Sequence, residues 1–175
     1  KIREWNADVV IAPRPNDYHP DHRYTGVLVQ DAAYMVEVPN VAPDVPPLRK
    51  TPVFLYGEDH FQRPNPFRPD IVVDITTTYA KKILAIDAHE SQFYEWMPWI
   101  GRYEKDVPTG KEERLQWLMK LYDKPMKANI RAAMVKWYGA AKAAKAKHAE
   151  AFEVCEYGAQ PNEAEIKRLF PMLIK

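Results

Sequence analysis

Three short apolar runs, Asp8-Val9-Val10-Ile11-Ala12, Pro52 to Gly57 and Ile71-Val72-Val73-Asp74-Ile75, set the limits on what this chain can fold into. Each is bounded by proline, glycine or polar loop residues and reads as a buried strand. Between the first two, apolar residues at Leu28, Val29, Ala32, Met35 and Val36 recur at helical spacing from His22 to about Val36, after a proline placed for a helix start at Pro20. Pro39, Pro43, Pro46 and Pro47 end that helix. After the third run, Thr76 to Thr78 offer hydroxyl caps for a helix over Tyr79 to Trp96. Strands alternating with helices predict an α/β, Rossmann-like, partly parallel sheet with flanking helices.

Downstream, Pro98 to Gly110 reads as a loop, and Glu112 to Tyr122 and Met126 to about Ala149 read as helices separated by Pro125. Gly139 is a break point within the second. Phe152 to Tyr157 is expected as a last strand and Glu163 to Phe170 as a terminal helix. At 175 residues the chain fits one domain. A formal net charge of +1 gives no bulk attraction to nucleic acid or acidic membrane, so partners must be argued from sites. The single cysteine, Cys155, excludes an internal disulfide. No apolar run reaches the roughly 18 residues of a membrane span. A cytoplasmic location is the expectation, any leader before Lys1 lying outside the sequence, and an oligomer remains open.

The chemistry concentrates in His19-Pro20-Asp21-His22, which follows the first strand as ligand sites do in open parallel sheets. Two imidazoles three residues apart at a helix start share one face, an arrangement suited to a metal ligand beside a proton donor. The same spacing also suits a capping His19 with His22 on the helix surface. Asp21 offers a carboxylate to orient a histidine. Asp17 and Tyr18 adjoin the motif and fit either substrate positioning or a turn. The polar loop that holds Asp59, His60, Gln62, Arg63 and Asn65 follows the second strand and is read as a sugar contact or a solvated connector. His148 and the strip Lys142, Lys145 and Lys147 read as a solvated helix face, Trp96 and Trp99 as packing residues, and Cys155 as a small buried one.

The segment Arg14 to Arg23, followed by Thr25-Gly26, resembles the second signature of the PIG-L/LmbE-like zinc-dependent de-N-acetylases. The resemblance extends through Phe67 to Ile75, Lys82 through His89-Glu90-Ser91-Gln92, and Glu150-Ala151-Phe152-Glu153, with residues 98–148 a family-variable helical region. It implies that His22 is a Zn2+ ligand, that His19 stabilises the oxyanion or protonates the leaving amine, and that Asp21 is its acidic partner. It further implies that His89 and Gln92, with Ser91, line or support the site, and that the substrate is a small N-acetylated amino-sugar conjugate, with no nucleic acid involved.

Such proteins also carry an earlier His-Pro-Asp-Asp segment that supplies two further zinc ligands and the general base, and these 175 residues contain none. The expectation is therefore a C-terminal part of one deacetylase domain, incomplete at its N-terminus and inactive alone. The competing expectations are a non-catalytic carbohydrate-binding relative and a structural or nucleic-acid-binding module that uses the lysine-bearing helix.

Overall fold

The computed structural model describes residues 1–173. Its strands are β1 (Val9–Ala12), β2 (Val53–Gly57), β3 (Ile71–Asp74) and β4 (Ala149–Val154), in the sheet order β1-β2-β4-β3. β1 and β2 run parallel in the register Val9 opposite Val53 to Ala12 opposite Tyr56, as their helical crossover requires. β4 lies antiparallel against β2, Leu55 facing Val154 and Gly57 facing Phe152, which makes the sheet only partly parallel. The first three residues of both β2 and β3 are buried without alternation, the pattern of strands covered on both faces.

The helices are α1 (Pro20–Met35), α2 (Tyr79–Asp87), α3 (Met97–Gly101), α4 (Lys111–Tyr122), α5 (Ala128–Tyr138), α6 (Ala140–Lys145) and α7 (Glu163–Leu169). The stretch expected as one helix to Trp96 is split: α2 ends at Asp87, and a π-helical turn over Ser91–Trp96 leads into α3. Gly139, at φ 75°, separates α5 from α6, a left-handed conformation that an L-residue adopts only at a cost. α7 opens with a reciprocal capping box between Asn162 and Glu165.

The chain divides into two compact units. The first comprises Lys1–Val73, Ala128–Ala144 and Glu150–Lys175, and the second Asp74–Lys127 and Lys145–Ala149. In the first, Ala33 of α1 packs on Phe54 and Cys155, flanked by Ile2, Val10, Val29 and Tyr56. Trp137 of α5 is 2% exposed and donates its indole N–H to the Asp70 carbonyl at 3.1 Å. In the second, Ile83, Tyr94 and Leu118 form the core.

The buried face of α1 keeps Val29 and Val36 of its sequence stripe and adds Gly26 and Ala33, while Leu28 is 70% and Met35 43% exposed. At Gly26 a Cβ would stand 2.7 Å from the Pro13 carbonyl oxygen and 3.1 Å from Pro15 N. That helix face lies directly on the loop after β1, and this contact fixes where the histidine motif sits.

Candidate functional site

A cleft of about 370 Å³ opens at the carboxyl ends of β1 and β2, lined by Ile11 to Arg14, Asp17, Gly57, Glu58 and Asp59. It occupies the place where open α/β sheets take ligands. Its floor is held by Arg14, the one buried charged residue among those described, at 5% exposure. The Arg14 guanidinium grips the Asp59 carboxylate with two hydrogen bonds, from Nε at 2.7 Å and Nη2 at 2.5 Å. It also donates to the carbonyls of Asn65 at 2.9 Å and Phe61 at 3.0 Å. The hydrogen bonds to Asp59 hold the guanidinium pKa above its usual range, against the opposing effect of burial. One arginine thus pins the β1–α1 loop to the loop after β2, and Asn16 adds a second tie, from Nδ2 to the Arg63 carbonyl at 3.0 Å.

The histidine motif lies at the start of α1, next to Asp17, the residue of this segment that lines the cleft. His19 is the N-cap, extended at φ −82° and ψ 129°, and Pro20 begins the helix where a missing N–H costs nothing. The Asp21 backbone N–H donates to His19 Nδ1 at 3.2 Å. A ring nitrogen that accepts a hydrogen bond carries a lone pair, so neutral His19 holds its proton on Nε2. Asp17 treats the other ring in the opposite way. Its Oδ1 accepts the His19 backbone N–H at 2.8 Å, and its Oδ2 lies 3.3 Å from His22 Nδ1. A carboxylate only accepts, so His22 Nδ1 carries the proton and Nε2 presents a lone pair. The Asp17 side chain is 12% exposed, and Arg23 Nη1 braces its backbone by donating to the Asp17 carbonyl at 3.0 Å.

The two imidazoles stand 4.7 Å apart between centroids, tilted by 32°. Adjacent rings therefore offer an N–H from His19 and a lone pair from His22, the one suited to charge building on a carbonyl oxygen and the other to a metal ion or a proton. Asp21, expected as the orienting acid, has a side chain 88% exposed, with Oδ2 4.0 Å from His19 Nδ1. The carboxylate in contact with a motif imidazole through a hydrogen bond is that of Asp17.

Tyr18 is 73% exposed, its ring edge-on to His19 at 5.9 Å and to His22 at 6.2 Å. Tyr18 also meets Phe61 at 6.1 Å, and His60 packs on Phe61 at 4.6 Å, which brings the loop after β2 beside the motif. His60 and Arg63 are exposed on that loop. His89 and Gln92 belong to the second unit. Both are exposed, and the His89 carbonyl accepts the Gln92 and Phe93 N–H groups at 3.1 Å as the π-helical turn begins.

Among the described residues, no group of three or more His, Cys, Asp and Glu side chains is placed to hold a metal ion. A catalytic zinc takes about three protein ligands. The residues present fit zinc only as one imidazole with the carboxylate that orients it, and not as a complete site. Likewise among the described residues, no helix is long and apolar enough to cross a membrane.

No family model matches the chain. Among solved structures it is similar to N,N'-diacetylchitobiose deacetylase from Pyrococcus horikoshii, complexed with its inhibitor MPG. The TM-score is 0.52 at 21% identity, over 89% of this chain and 48% of that one. The fold is shared. GalB, the 4-carboxy-2-hydroxymuconate hydratase from Pseudomonas putida KT2440, matches with a TM-score of 0.52 at 19% identity, over 92% of this chain and 57% of that one. The conserved protein TT1542 from Thermus thermophilus matches with a TM-score of 0.50 at 21% identity, over 91% and 57%. The chain spans about half the length of these structures, between 48% and 57%. A deacetylase and a hydratase on one fold leave the chemistry to be argued from the site.

Proposed function

We propose that this chain forms one wall of the active site of a zinc-dependent de-N-acetylase of the PIG-L/LmbE kind, acting on an N-acetylated amino-sugar conjugate. The observation that carries this reading is the pair of imidazoles 4.7 Å apart, each with its Nδ1 engaged by a different partner, the Asp21 N–H at His19 and the Asp17 carboxylate at His22. The motif resemblance supports it, and so does a fold shared with a chitobiose deacetylase.

Hydrolysis of an N-acetyl group adds water to the carbonyl carbon, breaks the C–N bond and yields acetate and an amine. Zinc, when bound, would supply the Lewis acidity that makes water a nucleophile at neutral pH. His22 would offer Nε2 as one ligand, and Asp17, on the opposite nitrogen, would fix the ring and raise its basicity. His19 would donate Nε2–H to the carbonyl oxygen as charge grows there, or pass that proton to the departing nitrogen. Arg14 would act at a distance, tying the loop that leads to these groups to the loop after β2.

The reading is tested with the protein expressed from its complete reading frame, by acetate release from N,N'-diacetylchitobiose and related N-acetylglucosaminyl conjugates. Release that a chelator stops and zinc restores is expected, with a loss of about 100-fold or more in His19→Ala and His22→Gln. Sugar binding without acetate release would replace this reading with that of a non-catalytic carbohydrate-binding protein. Unchanged turnover in both variants would refute the assignment of the pair.

A further inference from the structure

A second cavity of the first unit lies apart from the cleft at the ends of β1 and β2. It measures about 650 Å³, within the range of small-molecule sites, and is lined by residues from α1, β2, the loop 65–69, α5 and the end of β4. Aromatic walls come from Tyr56, Phe67 and Tyr157, and planar amides from Gln30, Asn65 and Asn129. The Gln30 amide donates to the Tyr56 hydroxyl at 2.9 Å, and that hydroxyl donates to Cys155 Sγ at 3.1 Å, so this wall is fixed in place. Apolar ring faces with amides at their margins suit a sugar, which shows C–H faces and a rim of hydroxyls.

The charge of the lining narrows the class. Glu153 and Glu156 both line the cavity. One cation, Arg68, also lines it, but its Nε donates to Asp70 Oδ1 at 2.8 Å, and Arg14 nearby is held by Asp59, so two carboxylates with one engaged guanidinium leave the lining acidic. Glu153 Oε2 accepts the Arg68 backbone N–H at 3.0 Å and stands 3.8 Å from Arg14 Nη1, which aims its carboxylate without removing the acidic surplus. A cation is therefore the favoured charge for an occupant. Arg14 also joins this cavity to the cleft at the ends of β1 and β2, since it lines that cleft while its Nη1 donates to the carbonyl of Asn65 in the cavity wall.

We propose that this second cavity binds a saccharide unit whose amine is free and protonated, beside the cleft that Asp17 lines next to the histidine motif. On the hydrolase reading, on which only this functional connection rests, the protein would then engage conjugates that carry both a free-amine unit and an N-acetylated one.

The test is a titration of the chain, followed by 1H–15N correlation spectra, with glucosamine, N-acetylglucosamine and glucose. The expected result is movement of the side-chain amide signals of Gln30, Asn65 and Asn129, with glucosamine binding at least about fivefold tighter than the other two sugars and weakening as salt rises. Glu156→Gln should erase that preference, and Asn129→Trp should block the shifts. Both positions are exposed, and the spectra themselves report whether each variant is folded. Equal binding of the three sugars, no movement of the amide signals, or unchanged shifts in Asn129→Trp would overturn the proposal. Failure to release acetate would leave this titration untouched, so the two readings fail separately.

Discussion

Replacing Arg14 with Met removes the cation from a carboxylate that has little water to turn to. The Arg14 side chain is 5% exposed and that of Asp59 13%. In the variant, Asp59 keeps the Phe61 backbone N–H at 3.0 Å but loses both guanidinium bonds, and the carbonyls of Asn65 and Phe61 lose a donor. Breaking one side of a buried ion pair costs about 3–5 kcal/mol, a large share of the roughly 5–15 kcal/mol by which a domain is stable. The double variant Arg14→Met with Asp59→Asn should be less destabilised than the sum of the single changes, because the carboxylate charge that the guanidinium grips is then removed with it. Since the chain has two compact units, stability is best read within the first, from hydrogen exchange of the buried β2 and β4 amides. A loss below about 1 kcal/mol for Arg14→Met, or strict additivity in the cycle, would refute the claim that this ion pair holds the two loops.

Gly26→Ala should destabilise the first unit by about 1–3 kcal/mol and displace the His19 and His22 resonances, since its Cβ would meet the Pro13 carbonyl at 2.7 Å; hydrogen exchange and histidine NMR check both effects. Tyr94 has its pKa raised by burial and by its 2.6 Å hydrogen bond to Asp87. A folded-state value above the unfolded one, near pH 10, means that this contribution to stability is whole below about pH 10 and is lost as pH climbs towards the folded value. Urea unfolding of the wild type should therefore decline more steeply above about pH 10 than that of Tyr94→Phe, and parallel curves would sink the idea.

The strands were legible because their apolar runs are short, continuous and closed by prolines. β1, β2 and β3 fall within one residue of the runs at Asp8–Ala12, Pro52–Gly57 and Ile71–Ile75. β4 was shifted: Ala149 and Glu150 continue an Ala/Lys-rich, helix-favouring stretch, and only tertiary pairing makes them strand. The buried face of α1 was legible in part: Val29 and Val36 do face inward, whereas Leu28 and Met35 are exposed and Gly26, which apolar periodicity does not weigh, meets the loop after β1. The histidine pair was visible from its spacing. The carboxylate on His22 was not assigned, since Asp17 is five residues back in the preceding turn, where periodicity carries no information. Arg14 with Asp59 was invisible as a pair: a long-range ion pair leaves no mark in a single sequence.

The account turns on two neighbouring imidazoles that hold opposite tautomers, and long-range 1H–15N correlation spectra of histidine-labelled protein at mildly alkaline pH read this directly. The structure predicts His19 protonated on Nε2 and His22 protonated on Nδ1, with the His22 preference lost in Asp17→Ala. A His22 proton found on Nε2 in the wild type would leave no lone pair facing a metal ion and would contradict the proposed site at its foundation.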